Sequence, residues 1–187
     1  LTKDVHTVVV GADYDDSRLI LTSLAGPVLH IMGSSAVSKI NSDSEQWALY
    51  ANDSMVIGRW SITPGIRYDY NSKSGSFLSP SFGGTYRIGE RTILRGSISR
   101  RFTTPPLGYF SGNYFSLAPN PSLIPEAIWS YQAGFESSSI PYVWTKVSLF
   151  THKLHDILTT TDTGPPLYNN IIINSGKSTR RGIEVEA

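Results

Sequence analysis

The chain has 187 residues, of which 40% are hydrophobic and only 17% charged, with a formal net charge of +1. That near-neutral balance supplies no field to gather nucleic acid, which is excluded as a partner. The absence of Cys excludes disulfides, thiolate metal sites and a cysteine nucleophile. The length suits one ordinary domain. Sixteen Gly, eleven Pro, 4 Trp, 10 Tyr and 7 Phe point to a turn-rich, all-β protein.

Alternation with period two predicts about eight strands, over 5–14, 45–55, 59–70, 77–88, 91–101, 128–138, 142–155 and 169–187. The first ends at Gly11-Ala12-Asp13-Tyr14. Asp13, Asp15 and Asp16 with Ser17 offer oxygen ligands but lack the loop a calcium site needs, so they read as solvated rim charge. The long connection 15–44 holds the richest apolar stretch, Leu19 to Met32. Thr22, Ser23, Gly26, Pro27 and His30 break it. No run of about 18 apolar residues exists, so no transmembrane helix is expected.

The strand over 59–70 puts Trp60, Ile62, Pro64, Ile66, Tyr68 and Tyr70 on one side and Ser61, Thr63, Gly65, Arg67 and Asp69 on the other. The strand over 77–88 sets Leu78, Pro80, Phe82, Tyr86 and Ile88 against Ser79, Ser81 and Arg87. In the next strand Arg100 shares parity with Leu94 and Ile98, at the loop end, where its head can reach water. After the long connection 102–127, Trp129, Tyr131, Ala133 and Phe135 oppose Ser130, Gln132, Gly134 and Glu136. In 142–155, Trp144 and Phe150 share a face with Lys146 and Ser148, which leaves its two faces unassigned. Arg181 shares parity with Ile183 and Val185. His152 and His155 fall on opposite faces of a strand and His6 and His30 stand alone, so no metal site is expected.

The connections alternate between long (15–44, 102–127) or medium (71–76, 156–168) and short (around Gly58, Gly89 and Pro141). In an up-and-down meander this gathers the long loops at one end and the tight turns at the other. Strands of about ten residues, one apolar face and aromatic strand ends then describe part of a transmembrane β-barrel in an outer membrane. Outer-membrane lipid is accordingly an expected partner. The chain opens without Met and ends inside the alternating run before Ala187, so a longer parent chain is expected.

The run Asn120-Pro121-Ser122-Leu123-Ile124-Pro125-Glu126 resembles the N-P-x-L-x-P-E segment of TonB-dependent outer-membrane receptors. Trp129-Ser130-Tyr131-Gln132-Ala133-Gly134-Phe135-Glu136 is similar to the strand that follows it there, with Gln132 where the family more often has Glu. Thr63-Pro64-Gly65-Ile66-Arg67-Tyr68-Asp69 resembles the family's T-P-G-x-R-Y-D strand. Leu78-Ser79-Pro80 through Tyr86 looks like the next strand, and Arg101-Phe102-Thr103-Thr104-Pro105 like the opening of a long loop. Phe150 to Leu158 and Asn174 to Glu186 look like the following hairpin. The ordered set spans about 45–187, and residues 1–44 match loosely.

The resemblance implies an internal portion of a receptor barrel over 1–187. Plug domain, energy-coupling segment and final barrel strands would lie elsewhere in a barrel of about 22 strands. It implies active uptake of a scarce nutrient (an iron–siderophore complex, a cobalamin or a glycan), driven through a TonB-type energy-coupling protein. The implied partners are the plug, the remaining strands and the small nutrient ligand. No cofactor is expected. Tyr109, Phe110, Tyr114 and Phe115 on loop 102–127 are candidate ligand contacts at the extracellular mouth, the alternative being a loop packed on itself. Arg67, Asp69, Arg87, Arg91, Arg95, Arg101, Gln132 and Glu136 are candidates for a lumen-facing polar wall, the alternative being cross-strand charge pairs that only hold the sheet. No G-x-S-x-G elbow, P-loop, H-E-x-x-H or dinucleotide fingerprint occurs, so an enzyme is not expected. A closed eight-stranded barrel serving as adhesin or anchor and a secreted β-sandwich binding module stay open.

Overall fold

The computed structural model describes residues 5–24, 37–112, 117–163 and 170–187. Among them nine strands form one sheet. They are β1 (His6–Leu24), β2 (Val37–Ile57), β3 (Trp60–Asn71), β4 (Gly75–Ile88), β5 (Thr92–Thr103), β6 (Leu117–Ala118), β7 (Glu126–Ser137), β8 (Thr145–Asp162) and β9 (Asn170–Glu186). Among the described residues one short helix, α1 (Leu107–Ser111), lies between β5 and β6. The order β1-β2-β3-β4-β5-β7-β8-β9 is an antiparallel meander, and β6 adds parallel to β9 over two residues.

The tight turns follow from local chemistry. Gly58 and Gly89 sit at φ +61° and +65°, in the left-handed region that glycine enters without steric cost. Tyr142, at φ +64°, serves the turn before β8. β8 therefore begins at Thr145 rather than at 142, as the alternation alone suggests.

The larger difference lies at the loop end. β1 and β2 pair continuously from His6↔Met55 to Leu24↔Val37, so most of the span 15–44 is a tall hairpin rather than a loop. Its Asp and Ser residues are poor strand formers, but long-range pairing overrides weak local preference. Arg18 Nε donates to Asn41 Oδ1 across it at 3.0 Å. β8 likewise continues to Asp162, past a bulge between Leu154 and Leu158 where Asp156 adopts φ +57°.

Cross-strand register sorts side chains into two faces. One carries Val8, Val10, Leu49, Ile66, Phe82, Leu149 and Ile183, all exposed, Val10 at 72% and Ile183 at 69%. The other carries Arg67, Asp69, Ser81, Arg95, Gln132, Glu136 and Ser148. Among the described residues no second sheet covers the apolar face, which is not the two-layer arrangement of a β-sandwich. The apolar core is a small cluster at the loop end. Phe110, Leu123 and Ile172 are buried there, with Leu107, Tyr109, Leu117 and Leu158 packed against them.

β4 and β5 pair only from Ser81↔Ser99 to Ile88↔Thr92. Beyond Ser81 the gap is filled by the rings of Phe77 and Phe102, whose centroids are 4.6 Å apart. Arg100 turns into this seam. Its guanidinium lies 4.2 Å from the Phe77 centroid, and Nη1 donates to the Leu78 carbonyl at 3.4 Å.

Candidate functional site

The polar face is built strand by strand, because every second residue from β1 to β9 projects to it. At the β1–β3 end, Arg67 is the organising cation. Its Nη1 donates to Asp13 Oδ2 at 2.6 Å and its Nε to Asp69 Oδ1 at 3.0 Å, while the Tyr50 ring lies under the guanidinium at 5.5 Å. Asp69 is 2% exposed, so its charge is compensated almost entirely by Arg67. Gly11 leaves room for the Tyr50 ring, and a methyl group there would collide with it.

Beside this cluster, Arg67, Arg101, Ser79, Ser81 and Ser99 line a recess of about 360 Å³ below the β4–β5 seam. With Arg67 already bonded to Asp13 and Asp69, the Arg101 guanidinium and the serine hydroxyls are the donors that face this recess. The middle of the wall is made of small residues, among them Ser61, Thr63, Gly83, Thr85 and Ser97.

At the β5–β9 end the charges pair across strands. Arg95 bonds Glu136, whose other oxygen accepts from Trp144 Nε1 at 3.0 Å, and Lys146 pairs with Glu186 at 2.6 Å. Phe150 also lies on this face, with Lys146 and Ser148, which settles the faces of β8. Its ring fits over Gly182 of β9 and stacks on His152 at 5.1 Å. His152 Nδ1 is 3.0 Å from Ser130 Oγ, and the Arg180 guanidinium sits 5.7 Å from the Phe150 centroid. Gln132 and Glu184 complete a second polar recess of about 350 Å³ with Arg95, Lys146 and Arg180.

The candidate wall residues Arg67, Asp69, Arg95, Arg101, Gln132 and Glu136 thus share one face. Arg87 shares its parity but sits exposed at the turn end, opposite Ile93. Arg91 lies in the turn before β5. Of the loop aromatics, Phe110 is 7% exposed and points into the cluster with Leu123 and Ile172, and Tyr109 packs against the same cluster. Tyr114 and Phe115 lie outside the described residues.

Two arrangements escape sequence reasoning. The first is a clamp between the long loop and the β8–β9 hairpin. Asn120 Nδ2 donates to the Ile172 carbonyl at 2.7 Å, and Glu126 Oε1 accepts from the Leu158 amide at 2.7 Å. Asn174 bonds both backbone groups of Ile124. Asn and Glu at fixed places in a Pro-rich segment were the available signal. The second is a hydrogen bond of 2.6 Å between His6 Nδ1 and Asp53 Oδ2, on the apolar face near the turn end. Its signal was Asp53, a carboxylate with the parity of Leu49 and Ala51.

A family model described as TonB dependent receptor-like, beta-barrel, matches residues 2–187. The fold is similar to the siderophore receptor PirA from Pseudomonas aeruginosa, with a TM-score of 0.75 at 24% identity over 96% of this chain and 32% of that one. It is also similar to the ferric enterobactin receptor PfeA from Pseudomonas aeruginosa, solved as a mutant in complex with enterobactin. There the TM-score is 0.79 at 19% identity, over 96% of this chain and 30% of that one. The FrpB iron transporter from Neisseria meningitidis gives a TM-score of 0.73 at 18% identity, over 99% and 30% of the two chains. The chain thus spans about a third of the length of these proteins. No functionally curated relative matches.

Proposed function

The chain belongs to the TonB-dependent receptor-like β-barrel family, whose members are transport receptors rather than enzymes, and on that premise we propose that it is wall and loop of an outer-membrane receptor for a ferric siderophore. The observation that carries the reading is a single sheet with one uncovered apolar face and one donor-rich polar face. The apolar face meets outer-membrane lipid and the polar face lines the lumen. The Arg101 guanidinium and the hydroxyls of Ser79, Ser81 and Ser99 in the recess offer hydrogen-bond donors to the oxygen atoms of a metal chelate. The similar structures, a siderophore receptor, a ferric enterobactin receptor in complex with enterobactin and an iron transporter, point the same way.

In this reading the loop bearing Tyr109, Phe110, Tyr114 and Phe115 receives the chelate at the extracellular mouth. Arg67, Asp69, Arg87, Arg95, Gln132 and Glu136 face the plug and the passing solute. A TonB-type coupling protein acts on the plug, and the plug's movement opens a path along the wall. The cross-strand bonds Arg95–Glu136 and Lys146–Glu186 hold the wall rigid while it does so.

The test is uptake of radiolabelled iron by cells lacking the full-length receptor, supplied with single ferric siderophores under iron limitation. The account predicts loss of uptake for at least one of them, restored by the wild-type gene and not in cells without the coupling protein. Undiminished iron uptake together with a loss of cobalamin or glycan uptake would overturn the siderophore assignment.

A further inference from the structure

Arg181 projects from the apolar face of β9, on the same side as Ile183 and Val185. A lone cation on a barrel's lipid face costs about 2–4 kcal/mol at the midplane and about 0–1 near the interface. The depth of Arg181 follows from the aromatic residues. Trp47, Tyr68 and Tyr70 cluster on β2 and β3, and Trp129 stacks on Tyr131 on β7 at 6.2 Å. Such rings mark the membrane interface.

The register gives the offset between the two ring clusters. Tyr131 lies in the row Pro64↔Phe82↔Ile98↔Tyr131, whereas Tyr68 stands four residues nearer the loops than Pro64 on β3. The interfacial level therefore moves four residues toward the turns over three strand steps. A strand tilt of about 40° with strands about 4.8 Å apart moves it by roughly one residue per step. Two further steps lead to β9. Arg181, level with Tyr131 by register through Thr151, then stands above the apolar band, among the headgroups. Lys153 on β8, in the row of Trp129, stands at nearly the same height.

Lys153 and Arg181 are diagonal neighbours, roughly 7–8 Å apart along the pair of strands. Two cations so placed repel each other unless an anion lies between them. Among the described residues neither cation is paired with an anion. Glu126, Glu136, Glu184 and Glu186 all share the polar-face parity, and the ion pairs among the described residues include neither Lys153, Lys177 nor Arg181. Lys153 Nζ instead lies 5.8 Å from the Tyr131 centroid, held against the aromatic girdle. Lys177 continues the same row of outward positions toward the loops, and it is exposed.

We propose that Lys153 and Arg181, with Lys177 above them, form a docking site on the outer surface of the barrel for the phosphate groups of an outer-leaflet lipid headgroup. The site rests on the apolar face being the membrane face. It needs nothing from the lumen or the nutrient. A phosphate between the two side chains offers charge-assisted hydrogen bonds to both, and its acyl chains lie along Leu149 and Ile183 below.

The test uses the full-length receptor in neutral detergent, with bound lipid counted by native mass spectrometry. The probes are diphosphorylated lipid A, its dephosphorylated form and inorganic phosphate. The wild type is predicted to retain lipid A over the dephosphorylated form, with retention falling about fivefold for each cation removed in Lys153→Gln and Arg181→Gln. Lys153→Arg with Arg181→Lys is predicted to keep it, and inorganic phosphate alone is predicted not to compete. Equal retention of the two lipids by the wild type overturns the proposal, and so does equal retention by wild type and double variant. The first comparison needs no variant, so a double variant that fails to fold leaves the test intact. Failure of the wild-type receptor to enter phosphatidylcholine vesicles would instead overturn the membrane reading of the face.

Discussion

Asn174 on β9 holds the peptide backbone of Ile124 as a neighbouring strand would, accepting from its amide at 3.0 Å and donating to its carbonyl at 2.8 Å. The same Nδ2 also donates to the Asp156 carbonyl in the β8 bulge, at 2.8 Å. One side chain thus ties three segments together: the loop after β6, the bulge and β9. With Asn120 and Glu126 it explains why an irregular, Pro-rich segment holds one conformation. Leu123, 2% exposed, is its apolar anchor.

Asn174→Ala is therefore predicted to release the loop without collapsing the sheet. It removes three hydrogen bonds, each worth about 1 kcal/mol net. Hydrogen exchange on the full-length receptor in detergent should show faster exchange at Ile124, with β3 and β4 unchanged. Unchanged protection at Ile124 would contradict the clamp.

Gly182 has the opposite logic, since its value is an absent side chain. A methyl group there would meet the Phe150 ring, so Gly182→Ala must displace Phe150 from His152 and Arg180. The single variant is predicted to lower the unfolding temperature. Adding Phe150→Ala should recover part of that loss, because the clash is with the ring. Simple additivity of the two changes in a double-mutant cycle would show that no such clash exists.

Arg67 is predicted to matter more than Asp13, the exposed one of its two carboxylate partners. Asp69 is buried and Asp13 lies at the surface, with 54% of its side chain exposed. Arg67→Ala leaves the Asp69 carboxylate buried without its cation, a cost of about 3–5 kcal/mol. Asp13→Ala removes one exposed pair, worth about 0–1 kcal/mol. Denaturant unfolding of the receptor in detergent should rank them so, and Asp69→Asn should restore part of the Arg67→Ala loss. Equal destabilisation by Arg67→Ala and Asp13→Ala would contradict this ranking.

The two-faced part of the meander is legible in the sequence because period two survives wherever the two faces meet different surroundings. Trp60 to Tyr70 alternates cleanly, and its strand lies within two residues of expectation. The hairpin above it was not legible. Asp15 to Ser17 and Asn41 to Ser44 are polar on both faces, so no alternation marks them, and only cross-strand pairing makes them strands. The faces of β8 were ambiguous because Phe150 is an aromatic on the polar face, and the glycine that accommodates it lies on another strand. The wall residues Arg67, Asp69, Arg95, Gln132 and Glu136 were legible as a shared face, since parity alone places them. Their partners were not, because register between strands is set by turns and packing that spacing does not encode. The Asn120–Glu126 segment was legible as a motif, whereas its bonds to Ile172, Asn174 and Leu158 connect residues far apart in the chain.

The central claim is that the apolar face meets lipid while the polar face meets the lumen. These 187 residues contain no Cys, so single spin labels can be placed in this segment of the full-length receptor. Labels at Ile62, Thr63, Pro64, Gly65, Ile66 and Arg67 in outer-membrane vesicles should alternate. The account predicts high collision rates with oxygen at positions 62, 64 and 66, and with a water-soluble nickel chelate at 63, 65 and 67. Access of the nickel chelate to both faces alike would contradict it.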